Sequence, residues 1–428
     1  RTGPGSPSGS STDTTSCTDV QGISARATEL DRGDPLASFR DRFTLAEGLL
    51  YLDGNSLGRL PKETIRRIRQ VVEHEWASEL VLGWDHWLDT GLRIGDSLAP
   101  LIGANPGEVA VCDQTSINLY KLASAAMDAT GRPNIVTDAG NFPSDRYVLA
   151  SVAERSGGEL ILAPEDGTVS DLAPLINDTT ALVSLSHVSY RSGTLADGAA
   201  ITQLAHDGGA MMLWDLAHSA GSVPVHLAAW DADMAVGCTY KYLNAGPGAP
   251  GFLYVRRDLH DTLTQPITGW FGHRDQFGFT ASWQPAPDIR RFLVGTPPIV
   301  SMVGVEVGVA ISAEAGIDEI RRKSIELTSL FIEGVAPLAE HGVEIVTPME
   351  GARRGSHVTL RHADGVQITA ALRSAGVIPD FRAPDLIRFG FAPLYTSYQE
   401  VARAVGILTE LIETGSYRSF DERRGRVT

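Results

Sequence analysis

The sequence predicts an α/β protein: a large domain with an open, mainly parallel sheet between helices, followed by a smaller α+β domain. Three observations carry that prediction. From about residue 60 to 260, short apolar runs bounded by turn residues alternate with stretches of helical period, the pattern of repeated βα units. After about residue 300 the pattern becomes one long helical stretch and then strand, helix, strand, helix. The chain has 428 residues, more than one typical domain needs.

Residues 1–25 are rich in Ser, Thr, Gly and Pro with few apolar side chains, so a disordered tail is expected there. Residues 26–60 are assigned to an N-terminal segment packing with the small domain. The large domain is placed at 61–300. Its seven candidate strands are "EVAVC", "NIVTD", "GELILA", "ALVSLSHV", "MMLWDLAH", "DMAVGCT" and "GFLYV", mostly separated by helical segments such as "SINLYKLASAAM" and "AAITQLAHDGG". The small domain, 301–428, begins with Ile317, Ile320, Leu327 and Phe331 at helical spacings. It continues through "SHVTLRH", "VQITAALRSAG", "DLIRFGF" and "EVARAVGILTELIE".

Lys and Arg total 36 against 52 Asp and Glu, a formal charge of −16 that repels nucleic acid and anionic lipid. Neither is expected as a partner. Cys17, Cys112 and Cys238 show no CxxC spacing and are too few for a disulfide framework, which fits a reducing, cytoplasmic setting. No apolar run approaches the roughly 20 residues that span a bilayer, and the first residues lack a signal peptide's apolar core. No HExxH or C-x-x-C pair suggests a metal, and His187, His206 and His218 are scattered.

Ligands of open α/β sheets bind beyond the carboxyl ends of the strands, so the residues just after each apolar run carry the chemistry. "WDLAHSAG" puts Asp215 and His218 where "AMMLW" ends. A carboxylate at the end of a core strand wants a cationic partner; alone, it fits a helix cap or an arginine salt bridge equally well. About 25 residues on, "DMAVGCTYKYLN" ends its run in Lys241, between Tyr240 and Tyr242. A lone lysine is ordinarily a solvated charge, but this one is approached by an apolar strand, and partial desolvation favours the neutral, nucleophilic amine. Such an amine condenses with an aldehyde. A lysine held as a Schiff base and an Asp paired to a pyridinium nitrogen are together the protein's part in pyridoxal phosphate chemistry.

A phosphate also needs a seat. Thr115 and Ser116 follow "EVAVC" at the start of a helix, where hydroxyls and free N–H groups meet the positive end of the dipole; a plain N-cap explains them as well. "NFPSD" follows the next strand, with Phe142 to stack on a ring, Pro143 and Ser144 in the turn and Asp145 to accept from the ring's hydroxyl. An ordinary Pro turn is the alternative. Gly246, Gly248 and Gly251 satisfy G-x-G-x-x-G, but Pro247 and Pro250 interrupt it and it runs into a strand, which a dinucleotide fingerprint does not. These glycines are expected to turn the backbone sharply and pass it close to the lysine.

In this order the motifs resemble the kynureninase family, pyridoxal-phosphate enzymes of fold type I and the class V aminotransferase-like group. The resemblance rests on "YLDGNSLGRLP", "LIGANPGEVAVCDQTSINLYKL", "NFPSDRY", "SHVSYRSG", "WDLAHSAGSVPVHL", "GCTYKYLNAGPGAPGFLYV", "GWFGH", "FLVGTPPI" and "RFGFAPLYTSY", and spans roughly 40 to 410. Ala245 and Gly251 depart from it as small-residue exchanges. The resemblance implies pyridoxal 5'-phosphate as cofactor, joined to Lys241, with Asp215 at the pyridine nitrogen and Phe142 on the ring. Thr115, Ser116, Asp145, His218, Tyr240, Trp270 and Thr296 match cofactor-site positions, the last two reaching the site from a second subunit, so a homodimer with shared active sites is implied. Arg388 matches the arginine that clamps the substrate α-carboxylate, although alone it fits a strand-surface charge. Asn55 and Ser56 are placed near the substrate; His86 and His273 fit ring contacts or hydrogen-bonded structural histidines equally.

The implied reaction, part of tryptophan catabolism, is hydrolysis of L-kynurenine, or its 3-hydroxy form, to anthranilate, or 3-hydroxyanthranilate, and L-alanine. Lys241 would take the α-proton, and Tyr240 would return a proton to the three-carbon fragment. A class V aminotransferase or cysteine desulfurase shares the Lys and Asp; the latter also needs a nucleophilic cysteine on a mobile loop. A nicotinamide oxidoreductase using the glycines and a non-catalytic binding protein are the readings from other classes.

Overall fold

The computed structural model describes residues 15 to 421, and their side chains from residue 21 onward. The disorder expected over 1–25 does not hold from residue 15 on, because Thr15–Arg32 is a helix; residues 1–14 lie outside the described residues. Its apolar residues Ile23, Ala27 and Leu30 recur at helical spacing and pack on the small-domain core. Asp31 near its end accepts from the backbone N–H groups of Tyr398 and Gln399, at the free amino end of the helix Tyr398–Thr414. Tertiary burial thus orders a segment whose local composition does not.

Strand β1 (Leu50–Tyr51) belongs to the small-domain side, pairing with a strand described below. The seven expected strands then form one sheet: β2 (Val109–Val111), β3 (Asn134–Asp138), β4 (Leu160–Ala163), β5 (Thr180–Ser186), β6 (Met211–Asp215), β7 (Met234–Gly237) and β8 (Phe252–Val255). The order is β2-β8-β7-β6-β5-β3-β4, with β8 antiparallel to both its neighbours and the rest parallel. Alternate residues supply two cores, as the strand period requires. Leu182, Leu213 and Val236 pack on Leu119, Leu122 and Leu149 on one face, while Val183, Met212 and Trp214 pack on Leu98, Ile201 and Ala205 on the other. Covered on both faces, these strands read as continuous apolar runs, and parallel pairing brings β3, β5, β6 and β7 to one edge with their carboxyl ends together.

The second sheet is antiparallel, from β9 (Glu344–Ile345) and β10 (His357–Arg361) to, past β11 (Val377–Ile378), β12 (Asp380–Arg382) and β13 (Leu386–Gly390), in the order β12-β13-β10-β9. Strand β1 pairs in parallel with β11, and Leu50 and Leu52 join Leu327, Phe331, Leu372, Val401 and Leu408 in the small-domain core. The boundary placed at 300/301 falls inside the helix Ile299–Ala315, whose Met302, Val305 and Val309 enter the large-domain core. Val307 and Ile311 of the same helix pack with Leu36, Phe43, Tyr242 and Tyr395, so the two cores are joined through it.

Candidate active site

Strand β6 ends in Asp215 and its parallel neighbour β7 leads through Cys238 to Tyr240 and Lys241, so the acid and the lysine leave the sheet on one edge. The chain has four lysines. Lys121 is buried on Asp113 (2.6 Å) and Lys323 on Asp34 (2.7 Å). Lys62 stands in the wall of a separate surface hollow, leaving Lys241 as the lysine that faces this site. Its Nζ lies 3.3 Å from His218 Nε2, 5.9 Å from the Phe142 ring centre and 6.0 Å from that of Tyr240.

A cavity of about 310 Å³ opens around it, lined by Gln114, Thr115, Ser116, Phe142, Ser144, Asp145, Asp215, His218, Cys238 and Tyr240 among others. Asp215 is buried and accepts from the Ala217 N–H (2.8 Å) and the Ser186 hydroxyl (3.2 Å). Burial pushes its carboxyl above the ordinary value, and the Lys241 charge pulls it back. Asp145 is held well above its usual range by burial and by Asp215, and its Oδ2 is buried without a hydrogen-bond partner. Burial, the Lys241 charge and nearby His357 hold His218 well below its usual range, so it stays neutral.

These residues fit pyridoxal phosphate. The helix Thr115–Thr130 begins after Gln114, whose side chain makes no capping bond, so its first N–H groups stay open toward the cavity. A Cβ on Gly251 would stand 3.1 Å from the Thr115 nitrogen, so glycine there keeps the phosphate seat clear. Gly251 passes close to the helix start and to Gly237 O, and with Gly248 it lines the cavity that Lys241 faces, while Gly246 and Gly248 turn the chain with φ of 91° and 77°. The orphaned Asp145 oxygen is where a ring hydroxyl would be satisfied, the exposed face of Phe142 is free for a ring, and Asp215 stands at the sheet end of the cavity.

Toward the small domain a further hollow of about 120 Å³ joins Lys241, Tyr240 and Phe142 to Asn55, Ser56, Tyr190, Arg382 and Arg388. The loop that carries Asn55 and Ser56 is pinned to the lysine turn: the Gly58 N–H donates to Tyr240 O at 2.8 Å, and a Cβ there would lie 2.3 Å from Lys241 O. Arg388 is 1 % exposed, which rules out a surface charge. Its guanidinium forks onto Asp380, with Nε to Oδ1 at 2.9 Å and Nη2 to Oδ2, while Nη1 donates to Tyr190 O and Nη2 also to Ser56 Oγ at 3.2 Å. The bidentate pair expected with a substrate carboxylate is therefore made with Asp380. What faces the hollow is the outer edge of Arg388 beside Arg382, whose Nη2 is 2.8 Å from Asp380 and whose Nε is unpartnered.

Three expected cofactor contacts are not brought here. Pro143 is the first residue of the helix Pro143–Arg155, where its fixed φ and missing N–H suit it, and it does not line the cavity. Thr296 lines a separate cavity of about 230 Å³, and Trp270 stands among Phe271, Phe277 and Phe279 on the surface. His86 bonds Glu75 and His273 accepts from the Asp275 N–H, and neither lines the two hollows around Lys241. Sequence reasoning missed Asp380, Arg382, Tyr190 and Ser186; for the last two the signal was the polar stretch "SHVSYRSG" at the end of β5.

A lysine facing a buried aspartate at the carboxyl edge of this sheet, with an open helix start for a phosphate, defines a fold-type-I pyridoxal-phosphate enzyme. Solved structures of cysteine desulfurases share the fold: one from Thermococcus onnurineus aligns over 88 % of this chain and 98 % of its own with a TM-score of 0.76 at 22 % identity. Another, from Escherichia coli, aligns over 88 % and 99 % with a TM-score of 0.73 at 18 % identity. Residues 320–408 match the family model described as kynureninase C-terminal domain. The kynureninase of Pseudomonas fluorescens is 46 % identical over 392 residues, 90 % of this chain and 94 % of its own length. That of Burkholderia pseudomallei is 44 % identical over 401 residues, 92 % and 96 %. The chain belongs to the kynureninase family.

Proposed function

We propose that the chain hydrolyses L-kynurenine to anthranilate and L-alanine with pyridoxal 5'-phosphate, and accepts the 3-hydroxy substrate as a variant of the same chemistry. The observation that carries this is the continuity of two hollows around one amine: Lys241 faces Asp215 and the phosphate seat on one side and the Arg382–Arg388 edge on the other. Asp215 would hold the pyridine nitrogen, Phe142 the ring face, Asp145 the ring hydroxyl, and Thr115 and Ser116 the phosphate. When bound, the cofactor supplies an electron sink for the substrate α-carbon.

This chain's residues do the rest. The positive edge formed by Arg388 and Arg382 binds the α-carboxylate, with Asn55 and Ser56 closing the same hollow. That anchor turns the α-carbon toward the Lys241 amine, which takes its proton, and neutral His218 beside Nζ does not compete with the amine for charge. One water adds to the side-chain carbonyl; the Cβ–Cγ bond breaks, the aryl carbon leaves as the acid, and Cβ receives a proton. Tyr240, which lines both hollows, would give it. The neighbouring Cys238 and partial burial raise its hydroxyl above the ordinary value, which keeps the proton on the phenol until it is needed.

A desulfurase would need a reactive thiolate. Burial raises both Cys112 and Cys238, Cys112 to about 11, and the Cys238 thiol in the cavity wall points at Ala217 O (3.7 Å). We also infer a homodimer. Trp76, Leu80, Val81 and Leu82 are 57–74 % exposed, with Phe277 and Phe279 also on the surface, enough apolar area to bury against a second copy that would bring Trp270 and Thr296 to its partner's phosphate seat. Two buried free thiols and the −16 charge support a reducing, cytoplasmic setting in tryptophan catabolism. The test is turnover: purified protein loaded with pyridoxal phosphate should release fluorescent anthranilate from L-kynurenine and no sulfide from L-cysteine. Sulfide without anthranilate would overturn the reading.

A further inference from the structure

The cavity around Lys241 is smaller than a second one elsewhere in the molecule. About 780 Å³ in volume, this second cavity lies behind the active-site wall, between the carboxyl ends of β3 and β5 and the Ala352–Arg353 turn of the small domain. Its size falls within the range of small-molecule sites, which run from roughly 300 to 1,000 Å³. It shares no lining residue with the lysine cavity; Asn141 and Ser186, hydrogen-bonded to each other at 2.9 Å, stand between it and Asp215. The mechanism above makes no use of it.

Its chemistry is one-sided. Leu185, Leu195 and Ile201 give it an apolar wall, and its charges are three carboxylates, Asp138, Asp166 and Asp197, against one guanidinium, Arg353. Two of the carboxylates have partners: Asp166 accepts from the Ser192 and Thr194 hydroxyls, and Asp197 caps the helix Gly198–Asp207 through the Ala200 N–H. Asp138 is satisfied only in part. It is 8 % exposed; the Gly140 and Asn141 N–H groups donate to its carboxyl, and its Oδ1 is left buried with no hydrogen-bond partner. Burial and the nearby Asp166 and Glu165 charges push its carboxyl up to about 7. A buried acceptor without a donor is costly, and what satisfies it best is a charged donor brought in by a ligand.

We propose that this cavity is a second ligand site, which takes a small organic cation with an apolar body, its N–H donors on Asp138 and its body against Leu185, Leu195 and Ile201. Benzamidinium is a suitable probe, because an amidine pairs with a carboxylate through two N–H groups and, unlike a primary amine, is a poor partner for the cofactor aldehyde. Isothermal titration of the holoenzyme should show benzamidinium binding at least about tenfold tighter than neutral benzamide, the margin of one charge-assisted pair, with benzoate weaker still. Asp138→Asn should remove the preference for the cation, and Ala196→Phe, which fills the cavity from its wall, should remove the binding; both variants should keep the wild-type KM for kynurenine. Equal affinity for benzamide, undiminished binding in both variants, or displacement of benzamidinium by kynurenine would each overturn the proposal. The cation preference and its loss in the two variants do not depend on which substrate the enzyme turns over.

Discussion

The two sides of the active site are built on opposite principles. On the large-domain side, Asp145 has an orphaned oxygen, the helix at Thr115 has uncapped N–H groups, and Phe142 offers a bare ring face. On the small-domain side, Arg388 already donates four of its five N–H groups, to Asp380, Tyr190 O and Ser56, before any substrate arrives. The first half is incomplete until a cofactor is seated; the second is a pre-formed cluster in which one buried carboxylate holds two arginines rigid and presents their outer edge. Orphaned groups on the large-domain side thus mark where a resident ligand sits, while a largely paired ion cluster, left open at Arg382 Nε, marks where a passing one docks and must also leave.

Substitutions should separate the halves by size of effect. Lys241→Ala should lower kcat at least about a thousandfold while kynurenine still binds, since it removes both the anchor and the base; Tyr240→Phe should cost less, about ten- to a hundredfold in kcat with KM little changed. Arg388→Lys should act on the other half, lowering kcat/KM about a hundredfold, mainly through KM, because lysine cannot fork onto Asp380 and still face the substrate. An Arg388→Lys enzyme with wild-type KM would show that the small-domain cluster is not the carboxylate site.

The smallest effect is on stability against pH, where buried histidines and buried carboxyls oppose one another. His187 and His357 are buried and held near 3, below their ordinary 6.5. A folded value below the unfolded one means stability that is complete above about 6.5 and lost as pH falls toward 3, roughly 2 kcal/mol for each between pH 7 and pH 5. Urea denaturation of wild type and His357→Gln at the two pH values should show the wild type losing about 2 kcal/mol more than the variant between pH 7 and pH 5. Asp53 and Asp138, each pushed up to about 7 chiefly by burial, work in the opposite sense, their share being lost as pH rises from about 4 to 7, so the histidine part is read from the difference between wild type and variant.

The contrast also decides what the sequence could reveal. In a parallel sheet buried on both faces the strands are unbroken apolar runs, so the residues just past them, Asp215, Tyr240 and Lys241, stand out at the active edge. The small-domain cluster is written in "IPDFRAPDLIRFGF", where two short antiparallel strands place Asp380 opposite Arg388 through a register that no periodicity announces. The N-terminal helix was hidden for a related reason: its ordering comes from the distant backbone of Tyr398 and Gln399, not from its own composition.

The account rests on Lys241 as the amine that joins the cofactor. Reducing the holoenzyme with borohydride and mapping the modified peptide by mass spectrometry tests it directly, with four lysines to choose among. A phosphopyridoxyl mass on the peptide carrying Lys241 is the predicted result; the same mass on Lys62, Lys121 or Lys323, or on none of the four, would contradict it.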